Sequence, residues 1–267
     1  MFEIFKHDRL AKLALVFFIL ISGWWAYLFI SGTQDSNQLY AFAATYGLMC
    51  VIGGIAGFRA AKEWGGLSSV IGKAIIALSV GLFAQEFGQI VFSYFNIVTH
   101  VEIPYPSLAD VGFFGSVVLY IIGIFFFSKA AGSKFSLKSV RNQLVALTIP
   151  VFMLIMSYLV FLKGYEFDWS NPLPILLDFG YPFGEAIYIS IAILTYGLSR
   201  KLLGGVMRNR IMFIIVAFIA QYVAEANFLT QNLNGTWVNG GYGDYLYFIS
   251  YFIMTIGLLR LNNVLKD

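Results

Sequence analysis

Apolar residues in this chain gather into eight long runs separated by short polar stretches. The runs cover about 12–31, 40–59, 70–97, 111–129, 143–162, 177–198, 211–230 and 244–261. Each has the length an α-helix needs to cross a hydrocarbon core of about 30 Å. The pattern predicts an all-α polytopic membrane protein of eight transmembrane helices. The third run is long enough to tilt or to project from the bilayer.

The polar positions inside these runs repeat. Asp110 is followed by Phe114, Ser116 and Gly123, and Asp244 is followed at the same offsets by Phe248, Ser250 and Gly257. Upstream stand Gln85 and Gln89, matched by Gln221 and Glu225. The second run ends in Gly57, Arg59, Lys62 and Gly65-Gly66; the sixth ends in Gly197, Arg200, Lys201 and Gly204-Gly205. The pattern reads as a tandem duplication, with residues 1–135 holding the first four spans and 136–267 the last four. Four is even, so both halves insert the same way round, as parallel four-helix repeats about an axis along the membrane normal.

Composition strengthens the membrane reading. Of the 267 residues, 59% are hydrophobic and 12% charged, and the mean hydropathy is +0.78. Soluble domains carry about 25% charged residues. Of seventeen Lys and Arg, all but Lys163 fall in the N-terminal tail, the 2–3, 4–5 and 6–7 connections or the C-terminal end. The positive-inside rule then places both termini in the cytoplasm of a prokaryotic cell, with the chain in its cell membrane. The net charge of +3 serves topology and gives no reason to expect nucleic acid. The first run lacks a cleavage site and is expected to stay as a signal anchor. Cys50 stands alone in an apolar span, which leaves no disulfide framework.

Three carboxylates fall within the predicted spans: Glu86, Glu185 and Glu225. No Lys or Arg shares their depth, and a lone carboxylate in hydrocarbon costs at least a few kcal/mol. Such a group stays protonated and hydrogen-bonded, or waits for a proton or a cationic ligand. Gln85 and Gln89 lie one turn apart on one helix face, as do Gln221 and Glu225. They serve either as interhelical glue or as a shared site. Asp110 and Asp244 open spans 4 and 8, where Asp is a favoured cap and also suits the lining of an outer vestibule. Tyr181 and Pro182 precede Gly184-Glu185; a proline there opens the hydrogen-bond ladder, as at a pocket or a simple packing kink. The small-residue stripe Gly53, Gly54, Gly57 predicts close helix packing, and Trp24 with Trp25 fit an interfacial aromatic belt.

Several chemistries are disfavoured. A retinal protein needs a mid-membrane lysine. An intramembrane zinc hydrolase needs two or three histidines, and the two present, His7 and His100, lie in a tail and a loop. Gly241-Tyr242-Gly243-Asp244 resembles the signature of intramembrane aspartyl proteases, yet the accompanying Pro-Ala-Leu element is missing. No enzymatic role, metal or cofactor is expected.

Pro104-Tyr105-Pro106-Ser107-Leu108-Ala109-Asp110 resembles a Pro-x-Pro-Ser-x-Ala-Asp stretch of multi-span sensor regions that stand N-terminal to bacterial diguanylate cyclases, phosphodiesterases and histidine kinases. Tyr181-Pro182-Phe183-Gly184-Glu185-Ala186 resembles a second element of those regions, usually with Asp in place of Glu185. The resemblance implies a ligand-sensing membrane module; with no output domain, this copy is expected to signal through a separate partner.

The leading expectation is a small-ligand sensory or receptor-like module with an outward-facing polar pocket. Glu86, Gln89, Gln221 and Glu225 form its floor, Tyr181 and Glu185 a wall, and Asp110 and Asp244 the mouth. Its partners are the bilayer and a small ligand or proton. A proton-coupled secondary transporter and a non-catalytic assembly subunit are the alternatives.

Overall fold

The computed structural model describes residues 4–32, 36–101, 103–130, 140–198 and 204–261. The expected boundary at 135/136 and the basic residues Lys134, Arg200 and Lys201 lie outside these described residues. Among them there are helices and turns and no strand. Eight helices are long and apolar enough to cross a membrane: Arg9–Ser31, Asn37–Glu63, Val70–Thr99, Leu108–Ala130, Gln143–Val160, Pro172–Gly197, Arg210–Asn232 and Tyr242–Leu261. They are called spans 1 to 8 here, and they make the chain an integral, multi-pass membrane protein.

Most of the helices extend past the apolar runs because polar caps lie outside them. Asp8 opens span 1 by accepting the Leu10 and Ala11 amides at 2.8 and 3.2 Å, and Gly32 closes it in a left-handed conformation. Ser69 caps span 3 through the Gly72 amide at 2.8 Å. Span 4 starts in a reciprocal capping box: Ser107 Oγ accepts the Ala109 amide at 3.2 Å while Asp110 Oδ2 accepts the Ser107 amide at 2.8 Å. Pro172 opens span 6, where its missing amide hydrogen is no loss.

Three spans change helical form along their length, span 5 by passing from the α-helix Val140–Ser157 into a π-helical turn, Tyr158–Leu162. Span 2 is a pair of helices, Ser36–Tyr46 and Leu48–Glu63, meeting at Gly47. Span 3 passes from the α-helix Val70–Ser93 into a π-helical turn, Tyr94–Thr99. Span 6, by contrast, runs unbroken through Pro182. The proline removes one amide donor, and its own carbonyl accepts the Ser157 hydroxyl at 3.2 Å.

Span 3 lies against spans 2 and 4, and span 7 against spans 6 and 8. Span 2 also meets span 8, and span 4 also meets span 6. Spans 1 and 5 bury least and form the periphery. Small residues permit the closest approaches, since packing, not water, drives helix association in lipid. Gly53 faces Leu82 and Thr255, and Gly57 faces Ser79 and Leu258. A Cβ on Gly112 would meet the Ala84 carbonyl oxygen and the Gly88 nitrogen at 2.5 Å, so the backbones of spans 3 and 4 touch.

The loops at one end are tied down. Trp25 stacks on Tyr245 at 4.0 Å and donates its indole N–H to the Gly241 carbonyl at 3.3 Å, so it packs on span 8. Tyr105 and Tyr165, from two different loops, donate to the two oxygens of Asp178 at 2.6 and 2.7 Å.

Candidate functional site

Seven of the eight predicted site residues are hydrogen-bonded through their side chains, and all of these but Gln221 fall in two groups. In the first, the Tyr46 hydroxyl lies 2.9 Å from Asp244 Oδ1 and 3.2 Å from Gln89 Oε1. Asp244 Oδ2 accepts the Gly240 amide at 2.6 Å, and Gln89 Nε2 donates to the Ala43 carbonyl at 2.7 Å. Asp244 thus holds the chain at the start of span 8 and, through Tyr46, fastens that span to span 2. Beside this group lies Glu86, 5% exposed, whose Oε2 has no hydrogen-bond partner. Glu86 fits because residue 47 is glycine: a Cβ there would run into its carboxylate and meet Gln89 Cγ at 3.0 Å.

The second group joins spans 4, 6, 7 and 8. Tyr181 donates to Asp110 Oδ1 at 2.8 Å, and Asp110 uses its other oxygen in the capping box. Tyr247 donates to Glu225 Oε2 at 2.5 Å, and Tyr188 donates to Glu185 Oε1 at 2.7 Å. Glu185 is 2% exposed and its Oε2 has no partner. Glu185 and Glu225 lie within electrostatic reach of each other, and so do Glu225 and Asp110.

Gln221 accepts the Ser250 hydroxyl at 2.6 Å, and Gln85 accepts the Tyr251 hydroxyl at 3.3 Å. Beside Gln221 lies a small cavity of about 10 Å³, lined by Tyr120, Gln221, Ser250 and Tyr251 among others, with room for about one water molecule. A larger, open groove of about 490 Å³ runs along span 6 beside Leu176, Phe179, Phe183 and Ile187. It is apolar, and none of the predicted site residues lines it.

The same contacts recur in both groups. Tyr46 reaches Asp244 from span 2 to span 8, and Tyr181 reaches Asp110 from span 6 to span 4. Each aspartate takes a second bond from a backbone amide just upstream. Phe248 meets the edge of Tyr46, and Phe114 the edge of Tyr181. Ser116 and Ser250 each donate to the carbonyl three residues back, at 2.6 and 2.8 Å.

Sequence reasoning missed the tyrosines. Tyr46, Tyr188, Tyr247 and Tyr251 drew no assignment, yet each supplies a hydroxyl to one of the predicted polar residues. Tyr46 was accessible: it stands 135 residues before Tyr181, nearly the spacing of Asp110 and Asp244. Asp178 also went unassigned. Outside the spans, burial first, and then the hydrogen bond to Asp178, push the Tyr165 phenol up to about 12. The same causes hold the Tyr105 phenol well above its usual range.

Among the described residues, no lysine or arginine pairs with Asp110, Asp244, Glu86, Glu185 or Glu225. No protein-family model, curated protein or solved structure matches the chain.

Proposed function

We propose that this chain is a receptor-like module of the cell membrane that binds a small ligand within its polar interior and reports occupancy to a separate signalling partner. The observation that carries this reading is the pair of buried carboxylates, Glu86 and Glu185, each with an oxygen that no described residue satisfies. Leaving such a group without a partner in hydrocarbon costs several kcal/mol, so its retention favours a role in binding over packing. The ligand suited to it offers positive charge or hydrogen-bond donors. Gln89, Gln221, Glu225 and Tyr181 would line the site, with Asp110 and Asp244 toward the loop face.

The recurring contacts support a chain of two parallel four-span halves, divided near residue 135. Both termini would then lie in the cytoplasm, where the basic connections place them. The Pro-x-Pro-Ser-x-Ala-Asp stretch adds support for a sensory role.

Thermal unfolding of the full chain in nanodiscs against a panel of small amines and metabolites tests the proposal. The expected result is a ligand that raises Tm in the wild type and has no effect on Glu185→Gln or Glu86→Gln. A panel-wide absence of shifts, or shifts equal in both variants, would leave the carboxylates as packing elements and favour the assembly-subunit reading.

One observation favours transport as the second reading. Span 2 is interrupted at Gly47, and discontinuous spans are how many transporters build a midplane site. Uptake of a stabilising ligand into proteoliposomes distinguishes the two.

A further inference from the structure

Span 6 carries Asp178, Tyr181, Glu185 and Tyr188 at spacings of three, four and three residues. That spacing stacks them on one helix face, along about 15 Å of rise. Every residue in the stack meets a polar group of complementary kind. Tyr105 and Tyr165 donate to Asp178, Tyr181 donates to Asp110, and Tyr188 donates to Glu185. Beside them Tyr247 donates to Glu225. The stack starts at the half-exposed Tyr105 in the loops and descends to Glu185, which is fully enclosed. The next position on that face, Ala192, is apolar and buried, so the polar stack ends there.

The lower end is short of positive charge. Glu185 and Glu225 are within electrostatic reach of each other, and among the described residues no Lys or Arg pairs with either. The other titratable groups that face Glu185 are phenols: Tyr188 on its own helix, Tyr120 from span 4, Tyr222 from span 7 and Tyr247 from span 8. Span 5 contributes Ser157, hydrogen-bonded to Tyr222 at 3.0 Å. None of these brings a cation. Two neighbouring carboxylates in low dielectric do not both ionise unless a positive charge is shared between them. Glu185 Oε2 is enclosed, and no described residue gives it a hydrogen bond.

We infer that this face of span 6 is an access path for a single monovalent cation, a proton or a small ion, running from the loops to a terminal site at Glu185 and Glu225. The inference rests on the receptor reading above and names the ligand chemistry of its acidic half. The path has one mouth, so the cation binds and leaves on the same side.

Infrared spectroscopy of the full chain in nanodiscs tests this, with the carboxylic-acid carbonyl stretch followed against bulk pH at fixed ionic strength. The expected wild-type spectrum contains a carboxylic-acid band that titrates, is lost in Glu185→Gln, and shifts in Tyr188→Phe, a variant that keeps the ring packing. Asp110→Asn should slow the response to a pH jump while leaving its end point in place. Replacing choline by sodium at constant pH separates the two sources. A titration that sodium displaces assigns the site to a metal cation in competition with the proton; one that sodium leaves unmoved assigns it to the proton, and either upholds the site. A band that does not titrate, or one that persists in both Glu185→Gln and Glu225→Gln, overturns the inference. An unchanged rate in Asp110→Asn overturns the path. Ligand-dependent Tm shifts without any titrating band would overturn this inference while the receptor proposal stands.

Discussion

The bond from Tyr46 to Asp244 offers the sharpest test of how the two polar groups hold the helices. Tyr46→Phe keeps the ring among Phe42, Phe248 and Tyr251 and deletes only the hydroxyl. That hydroxyl serves two acceptors, Asp244 Oδ1 at 2.9 Å and Gln89 Oε1 at 3.2 Å. After its loss Asp244 keeps the Gly240 amide and Gln89 keeps its bond to the Ala43 carbonyl. Hydrogen bonds to charged groups contribute about 1.5–3 kcal/mol in soluble proteins. Interhelical bonds in bilayers average about 0.6 kcal/mol, because a chain unfolded within the membrane finds other partners. Asp244 is only 3% exposed, so water cannot replace the lost donor. The expected cost is therefore about 1.5–2 kcal/mol, near the overlap of a charged acceptor and a membrane setting. Tyr181→Phe makes the internal comparison. Its acceptor, Asp110, is only half-buried, and the expected cost is about 0.5–1 kcal/mol. Equilibrium unfolding by SDS titration in mixed micelles measures both, and Tyr46→Phe combined with Asp244→Asn completes a double-mutant cycle. Equal losses in the two tyrosine variants, or a coupling below about 0.3 kcal/mol, would refute the reasoning.

Three further outcomes follow from the same contacts. Gly112→Ala should destabilise by about 1–3 kcal/mol in the SDS titration, since its methyl would meet backbone atoms of span 3 that have no rotamer to change; a neutral result would mean the two helices are not in backbone contact. Glu185→Gln should raise Tm at neutral pH, because it removes an ionisable group whose second oxygen has no partner, while abolishing ligand-dependent shifts; a fall in Tm would count against the site. The Tyr165 phenol, raised to about 12, should ionise late in an ultraviolet pH titration and earlier in Asp178→Asn. Its folded value exceeds the unfolded one near 10, so its contribution to stability is complete below pH 10 and disappears as pH rises through about 12. Identical titrations of wild type and Asp178→Asn would remove Asp178 as the cause.

The eight spans were legible because apolar length alone decides them, and the errors were at the ends. Span 4 begins at Leu108, not residue 111, because Ser107 and Asp110 cap it with polar atoms that hydropathy counts against a helix. The acidic candidates were legible for the related reason that hydrocarbon penalises them. Their partners were not. A tyrosine at position 46, 188, 247 or 251 suits a buried aromatic core and a hydrogen-bond donor equally well, and only the fold shows which carboxylate or amide its hydroxyl reaches. Asp110 and Asp244 had been open between helix cap and vestibule. Asp110 caps its helix with one oxygen and holds Tyr181 with the other, so the cap and the interhelical contact share one carboxylate.

The differences between the two groups are as informative as their likeness. Where the first places Gln89, the second places Glu225; where the first has Tyr46-Gly47 and then Cys50, the second has Tyr181-Pro182 and then Glu185. Structural requirements common to both halves explain the tyrosines and aspartates, since each pair fastens a helix start to a neighbouring span. They do not explain why the second group has Glu185 and Glu225 where the first has Cys50 and Gln89. An amide or a thiol at those positions suffices for packing, as the first group demonstrates with Gln89 and Cys50. Each added carboxylate brings a desolvation cost of several kcal/mol, and no basic side chain among the described residues offsets it. Packing therefore accounts for what the groups share, and the proposed binding of positive charge would account for where they differ.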